Sequence, residues 1–167
     1  VDLADDDAAD SPSERTHHEI TFVAANDDAT LGTVTLRLDG PMGLRAEETH
    51  GEVIQSARLG GRRVCELTRL AVAAKVDSYT VLASLFSLAY GAGRTIHGVT
   101  DVFIEVNPRH VAFYSRVLGF VVAAGERICE RVRAPSVLLH VEAAALSEHL
   151  EALVRQAFAQ PVLARAA

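Results

Sequence analysis

Residues 62–73, with the sequence RRVCELTRLAVA, carry bulky apolar side chains at both odd and even positions. A strand that faces water on one side alternates apolar and polar residues, whereas this pattern is typical of a strand covered on both faces. The segment is therefore predicted to be a central strand. A chain built around it must bring helices onto both sides of one sheet.

The segments around this strand alternate between strand and helix patterns. Segments 19–26 and 30–40 are rich in β-branched residues and flank a turn sequence, so they predict a hairpin. Residues 45–58 are predicted to be partly helical, and Gly91-Ala92-Gly93 is predicted to end the next helix with a left-handed glycine cap. The other predicted elements are a helix from Ser78 or Thr80, a strand over 101–106, a short helix over 110–119, strands within 120–132 and 135–142, and a last helix over 146–159. This order predicts a mixed α/β fold.

The 167 residues suffice for one domain with its own core. Acidic residues are concentrated at the start, because residues 1–30 hold nine Asp and Glu against Arg15 alone. We expect residues 1–18 to form a disordered acidic arm and residues 19–167 to form the single domain. The remainder of the chain is slightly basic, although the net charge of the whole sequence is -6.

Several kinds of site and partner are not expected. No apolar run is long enough for a membrane helix and no signal peptide is visible, so a cytoplasmic location is predicted. Cys65 and Cys129 lack a CxxC or Cys/His ligand spacing and are expected to be reduced core residues. The histidines are scattered, so no metal is predicted. No basic segment is interleaved with aromatic residues, so no nucleic acid partner is expected.

The central strand contains one carboxylate among apolar residues, Glu66. Burial would raise its pKa, which suits a general base that takes a proton from an incoming amine. Arg69 would hold this carboxylate or bind the carboxylate of an acceptor; alternatively, Glu66 only forms an ion pair with Arg69 or Arg63. Strict alternation places positions 66 and 69 on opposite faces of the strand, so bringing them together requires a bulge.

The stretch VNPRHVAFYSRVLGF reads as a strand end, a short helix and the start of a new strand. The spacing of Asn107, Tyr114, Gly119 and Phe120 in it resembles the closing motif of the GNAT acyltransferase superfamily. The stretch CELTRLAV resembles the Glu-x-x-Arg strand of acyl-homoserine-lactone synthases. Together the two stretches resemble the FeeM-type N-acyl amino acid synthases.

The resemblance covers residues 19–142 and implies a GNAT-like, mostly antiparallel central sheet flanked by helices on both faces. It also implies an N-acyltransferase in which Glu66 is the base and Tyr114 protonates the departing thiolate. From the residues alone, Phe113 and Tyr114 have the alternative role of anchoring a short helix on the sheet. The backbone amides expected to polarise the thioester carbonyl are those of Ala71, Val72 and Ala73.

The segment after the central strand bears on the donor. CoA-using GNAT proteins have a glycine-rich phosphate loop there, whereas this chain has no glycine between Gly61 and Gly91. A diphosphate is therefore disfavoured, and the expected donor is the acyl-phosphopantetheine thioester of an acyl carrier protein rather than acyl-CoA, with no permanently bound cofactor. The residues expected to bind this donor are Lys75, Ser78, Thr80 and, at the end of the next strand, Asn107, whose simpler role is to cap the turn before Pro108.

These expectations combine into one function: transfer of a fatty acyl group from acyl carrier protein to the amino group of an amino acid or related amine, giving an N-acyl amino acid. The basic residues expected to attract an acidic carrier protein are Lys75, Arg94, Arg109, Arg116, Arg127, Arg131 and Arg133. The expected lining of the acyl cleft is Leu70, Leu82, Leu85 and Phe86. The alternatives are a CoA-dependent N-acetyltransferase with a degenerate phosphate loop, and a non-catalytic binding module with the same fold.

Overall fold

The computed structural model of the chain describes residues 18–74 and 76–159. Lys75 and nearly all of the predicted acidic arm lie outside these residues. The strands and helices are β1 (Glu19–Ala25), β2 (Thr30–Leu38), α1 (Glu47–Leu59), β3 (Val64–Val72), α2 (Ser78–Tyr90), β4 (Asp101–Val106), α3 (Val111–Leu118), β5 (Val121–Cys129), β6 (Ala134–Glu142) and α4 (Ala143–Ala159). Their order is the predicted one, and α4 begins three residues earlier than expected. None of the described helices is both long and apolar enough to cross a membrane.

The six strands form one sheet in the order β1-β2-β3-β4-β6-β5. Every neighbouring pair is antiparallel except β3 and β4, which are parallel. Parallel neighbours need a crossover connection, and α2 supplies it. The predicted α/β class, with a mixed and mostly antiparallel sheet, is confirmed.

The two faces of the sheet carry separate apolar clusters. The larger cluster contains the buried residues of α2 and most of those of α4, with part of α3 packed against it. The smaller one lies under α1 and includes Ile54, Phe103 and Leu138. Successive residues of β3 enter the two clusters in turn, because Val64 belongs to the smaller and Cys65 to the larger. The prediction that β3 is a central strand covered on both faces is therefore confirmed.

The two cysteines are buried and free, as expected. Burial raises the pKa of the Cys65 thiol, with the nearby Glu66 and Asp101 charges adding to the effect. A thiol in such surroundings stays protonated and is a poor nucleophile. Cys65 is therefore a packing residue of the larger cluster.

The prediction that Gly91-Ala92-Gly93 closes α2 with a left-handed cap is wrong. Gly91 has right-handed helical torsions, φ −57° and ψ −46°, and the chain continues as a π-helical turn over Gly91–Ile96. The left-handed glycine is Gly98, with φ 65°. Glycine adopts both hands of helix with similar ease, so the sequence alone does not distinguish these positions.

Substitution of Gly91 tests this geometry. A Cβ at Gly91 meets no atom within 4 Å, and alanine favours helix, so Gly91→Ala should raise the free energy of unfolding by about 0.5–1 kcal/mol. Gly119→Ala is the contrast. Gly119 ends α3 with φ 72°, and a Cβ there would run into the His149 ring. This second variant should lose at least about 1 kcal/mol in urea unfolding; a similar loss for Gly91→Ala would contradict the right-handed geometry.

Candidate active site

The candidate site lies where β3 and β4 separate. These strands pair at only three positions, 64–66 with 101–103, and the described residues beyond them are not paired with each other. A cavity of about 250 Å³ opens in this gap. Its apolar lining residues are Val34, Leu67, Leu70, Phe86, Ile104 and Val106. Its polar lining residues are Thr68, Arg69, Glu105, Asn107, His110 and Tyr114.

The gap brings some of the predicted site residues together and leaves others apart. Arg69, Asn107 and Tyr114 share the cavity, along with Leu70 and Phe86 of the expected acyl cleft. The predicted residues that do not line it are Glu66, Ala71, Val72, Ala73, Ser78, Thr80, Leu82 and Leu85. Leu82 and Leu85 belong to the packed core beneath the cavity.

The expected bulge is present in β3. Thr33 and Thr35, two positions apart on β2, face Ala71 and Thr68, three positions apart on β3, so β3 holds one extra residue. Arg69 sits at this point with φ 51°, a left-handed conformation that is uncommon for a side chain of its size. Its side chain is 54% exposed and approaches Glu19 at 3.5 Å. The bulge thus turns Arg69 outward to the rim of the cavity rather than towards Glu66.

Glu66 is buried on the face of the sheet covered by α1, with 1% of its surface exposed. Its Oε2 accepts hydrogen bonds from the backbone amides of Arg45 at 2.6 Å and Ala46 at 3.3 Å. Burial raises the pKa of Glu66 to about 7, against the opposing effect of these two hydrogen bonds, and the Glu105 charge adds to the rise. The alternative of an ion pair with Arg69 or Arg63 is not seen among the described residues, where the hydrogen-bond partners of Glu66 are the two backbone amides that donate to Oε2.

Tyr114 projects from α3 into the gap from the opposite face. Its ring packs edge-on against Phe120, with centroids 6.1 Å apart, and against Phe113 at 5.3 Å. Burial raises the pKa of its hydroxyl, which therefore keeps its proton at neutral pH. The residue both anchors α3 and borders the cavity, so its two predicted roles are compatible.

Asn107 ends β4 and starts the turn towards α3. Its side chain accepts a hydrogen bond from the Arg109 amide at 3.2 Å and so caps the 3-10 turn Pro108–His110, with Pro108 in the first position. The structural role expected for Asn107 is confirmed. The residue also lines the cavity.

The amides expected to polarise the carbonyl are not equivalent. That of Ala73 donates to the Leu31 carbonyl at 2.8 Å, and Ala71 pairs with Thr33 on β2. Neighbouring amides along a strand point to opposite edges. The amide of Val72 therefore points to the edge from which β4 has departed.

The start of α2 is already occupied by a carboxylate. Asp77 caps the helix, accepting hydrogen bonds from the Tyr79 amide at 3.1 Å and the Thr80 hydroxyl at 2.5 Å. The hydrogen bond from Thr80 is the main reason that the pKa of Asp77 is lowered. Of the residues expected to bind a phosphate here, Thr80 is thus engaged by Asp77, Ser78 is the first residue of the helix, and Lys75 is outside the described residues.

Two buried polar residues near the gap were missed from the sequence. Glu105 is a carboxylate in a strand whose other residues, apart from Asp101 at its start, are apolar. This pattern is close to the one that singled out Glu66, so the signal was available. His50 is fully buried in α1. It has no ligand spacing to other residues, so no signal in the sequence pointed to it. No group of three or more His, Cys, Asp or Glu side chains in residues 18–74 and 76–159 is arranged to hold a metal ion.

Comparison with known families agrees with this geometry. The family model described as N-acyl amino acid synthase FeeM matches residues 5–142 of the chain. The chain belongs to the FeeM family. With its GNAT-type fold, this FeeM-family protein is an N-acyltransferase. No curated protein matches its sequence.

Solved structures show the same fold. FeeM, an N-acyl amino acid synthase from uncultured soil microbes, aligns with a TM-score of 0.71 at 24% identity, covering 79% of this chain and 76% of that one. The CoA-dependent acyl-homoserine lactone synthase BjaI aligns with a TM-score of 0.55 at 13% identity, covering 82% and 65%. A spermidine N-acetyltransferase chimera of Vibrio cholerae SpeG and hSSAT gives 0.52 at 13%, covering 81% and 74%. The relationship to acyl-homoserine lactone synthases and other GNAT proteins is thus visible in the fold.

The buried carboxyl of Glu66 should make stability depend on pH. Because its pKa of about 7 lies above its ordinary value of 4.5, the folded state binds this proton more tightly than the unfolded state. The contribution of this group to the free energy of unfolding is therefore fully present below about pH 4.5. It should be lost as the pH rises through 7, by up to about 3 kcal/mol.

Glu66→Gln should remove this part of the pH dependence, since glutamine is neutral and its oxygen still accepts from the Arg45 and Ala46 amides. Urea unfolding at pH 5 and pH 8 measures the free energy of unfolding of both proteins. The variant should gain about 1–3 kcal/mol relative to the wild type between these two pH values. Parallel pH profiles for the two proteins would show that the carboxyl titrates normally.

Proposed function

We propose that this FeeM-family protein moves a fatty acyl group from the thioester of an acyl carrier protein to the amino group of an amino acid. The product is then an N-acyl amino acid. The observation that carries the proposal is the cavity at the β3–β4 gap, which has an apolar lining next to a polar rim containing Tyr114. A fatty thioester requires the apolar lining, and departure of a thiolate requires a proton donor beside it.

In the proposed reaction, Glu66 takes a proton from the ammonium group of the acceptor through a bridging water molecule, because its carboxyl is buried and does not line the cavity. The freed lone pair attacks the thioester carbonyl, so that a C–N bond forms and the C–S bond breaks. Two protons leave the nitrogen in all. One ends on the thiol by way of the Tyr114 hydroxyl, and the other is released to solvent from Glu66.

The environments of the two residues support these roles. A pKa of about 7 for Glu66 gives a carboxylate that is partly ionised at neutral pH and basic enough to accept a proton. The raised pKa of Tyr114 keeps a proton on the hydroxyl that faces the departing sulfur. The Val72 amide, at the open edge of β3, is the candidate donor to the oxyanion.

Arg69 supports an amino acid as the acceptor. The bulge presents its side chain at the rim of the cavity, and its contact with Glu19 is long, at 3.5 Å. A guanidinium that is exposed and weakly paired is free to bind a carboxylate through two hydrogen bonds. The carboxylate of an α-amino acid would bind there, one carbon away from the nitrogen that reacts.

The start of α2 supports a donor other than CoA. The absence of glycine between Gly61 and Gly91 and the cap formed by Asp77 leave little room for a diphosphate, which would be repelled by that carboxylate. Phosphopantetheine on a carrier protein brings a single phosphate. A carrier donor also agrees with the cytoplasmic location predicted from the sequence, which stays a prediction.

Basic side chains beside the cavity support an acidic carrier. Arg109 and Arg116 belong to the turn and helix that follow β4, and neither has a carboxylate partner within the part of the chain that the structure describes. Arg127 and Arg131, by contrast, pair with the α1 residues Glu52 and Glu48. Arg94 and Arg133 also have no carboxylate partner among the described residues. The members of the predicted basic surface that flank the cavity residues His110 and Tyr114 in sequence are Arg109 and Arg116.

Comparison of two donors tests the carrier. With hexadecanoyl thioesters of acyl carrier protein and of CoA, kcat/KM should be at least about 10-fold higher for the carrier. It should also fall as salt rises above about 0.1 M, where the screening length drops below roughly 10 Å. Arg116→Glu should mimic added salt, whereas Arg63→Glu, the same charge change at the other end of β3, should not. Faster turnover of the CoA thioester with a micromolar KM would make CoA the donor.

Tyr114→Phe tests the proton donor, since it removes one hydroxyl and keeps the ring. We expect kcat to fall about 100-fold while the unfolding free energy changes little. Tyr90→Phe, a half-buried tyrosine outside the cavity, is the matched control and should leave kcat unchanged. A stability loss of about 1 kcal/mol with a normal kcat for Tyr114→Phe would mean that the residue only anchors α3.

A further inference from the structure

Glu105 is the one carboxylate among the described residues that line the cavity, and the reaction above does not use it. Alternation along β4 directs its side chain to the face covered by α1, as it does for Phe103 two positions earlier. The side chain is 6% exposed. Glu105 therefore forms part of the β4 wall of the cavity, while Thr68 forms part of the β3 wall.

Three residues hold the Glu105 carboxylate in place. Ser136 donates a hydrogen bond to Oε1 at 2.8 Å, and Arg131 donates to Oε2 at 2.9 Å. The Cys129 thiol lies 3.8 Å from Oε2. All three belong to β5, β6 and the turn between them, so the position of the carboxylate is set by a rigid hairpin rather than by the cavity.

The surroundings of Glu105 contain polar atoms without partners. His50 is fully buried, and its Nε2 lies 3.9 Å from Oε1 of Glu105, too far for a hydrogen bond. Neither ring nitrogen of His50 has a partner in the described part of the chain, and the same holds for the Thr68 hydroxyl on the opposite wall. Buried polar atoms nearly always have partners. Thr68 lines the cavity, so a ligand bound in the cavity can supply the polar group that this region lacks.

The missing group should be a hydrogen-bond donor with positive charge. Burial lowers the pKa of His50, so its neutral ring has a nitrogen that can accept. The Thr68 oxygen and the Glu105 carboxylate also accept. A primary ammonium group has three N–H donors and no acceptor, which matches this set. Arg69, on the rim of the same cavity, is itself a positively charged donor, so it requires a negatively charged group that accepts hydrogen bonds.

We propose that Glu105 binds the ammonium group of the acceptor, with the Thr68 hydroxyl as a second acceptor of hydrogen bonds and Arg69 on the carboxylate of the same amino acid. The proposal depends on the proposed function in one respect, namely that the acceptor is an amine. Glu66 keeps the role of base. Glu105 fixes the nitrogen at the gap, between that base and the thioester carbonyl.

Binding measurements without any donor test this directly. Calorimetry of the full chain with each standard L-amino acid and with cadaverine finds the tightest ligand, which is then compared with its analogue that lacks the amino group. The wild type should bind the amine at least about 10-fold more tightly than the analogue, since a charge-assisted contact is lost. Glu105→Gln should abolish this preference. Glu126→Gln, an exposed carboxylate on β5, is the matched control and should keep it.

Glu105→Asp is a second variant for the case in which Glu105→Gln fails to fold. It keeps the negative charge and should therefore keep part of the preference for the amine. An equal preference in the wild type and in folded Glu105→Gln would overturn the proposal, as would a wild type that binds neither an amino acid nor cadaverine. Binding of cadaverine alone would remove the amino acid from the proposed function while leaving the ammonium site to be judged by Glu105→Gln.

Steady-state rates with hexadecanoyl acyl carrier protein separate binding from chemistry. Glu105→Gln should raise the KM of the acceptor about 10- to 100-fold and leave the KM of the donor unchanged, whereas Glu66→Gln should lower kcat. A fall in kcat with an unchanged acceptor KM for Glu105→Gln would overturn the binding role and make Glu105 the base. If the wild type transfers nothing from the carrier thioester but retains its preference for the amine, the donor is wrong and the ammonium site stands.

Discussion

The parallel pairing of β3 with β4 stops after three residue pairs, and the rest of the site depends on this. Backbone groups beyond that point need partners other than each other, and the gap is wide enough for a cavity. The crossover that parallel strands require places α2 on one face, while the chain leaving β4 turns at Asn107 into α3 and carries Tyr114 to the edge of the gap. The early end of the β3–β4 pairing therefore creates the cavity, and the chain that leaves β4 supplies side chains that line it.

The two faces of the sheet offer different chemistry, and the gap joins them. Tyr114 and Phe86 belong to the face of the larger apolar cluster, where an acyl chain and a departing sulfur have suitable neighbours. Glu66, Glu105 and His50 are on the face covered by α1, among ion pairs and backbone amides. An intact sheet would keep a thioester on one face apart from an amine on the other. In the reaction that we propose, acyl transfer from the thioester to the amine therefore requires an opening through the sheet.

Local periodicity predicted the elements well, because each strand and helix carries its own apolar pattern. Local periodicity does not distinguish a right-handed from a left-handed glycine conformation, so the left-handed cap was wrongly expected at Gly91. The bulge at Arg69 was expected from strand alternation and family resemblance, whereas its direction, away from Glu66, depends on contacts with β1. The partners of Glu66 are amides about twenty positions away in sequence, and no local pattern encodes them. Glu105, by contrast, was within reach of the argument applied to Glu66.

The basicity of Glu66 depends on the residues that cover its side chain. Its raised pKa comes mainly from burial, and the burial comes from the segment around Arg45 and Ala46 and from the packing of Ile54 in α1 against the sheet. If this cover opened, water would reach the carboxyl and its pKa would return towards the ordinary value, leaving a weaker base. The Arg45 and Ala46 amides act in the opposite sense, because they stabilise the ionised form. The cover therefore sets a balance in which Glu66 is ionised often enough to accept a proton and basic enough to take it. In the reaction that we propose, the packing of α1 is for this reason part of the catalytic apparatus.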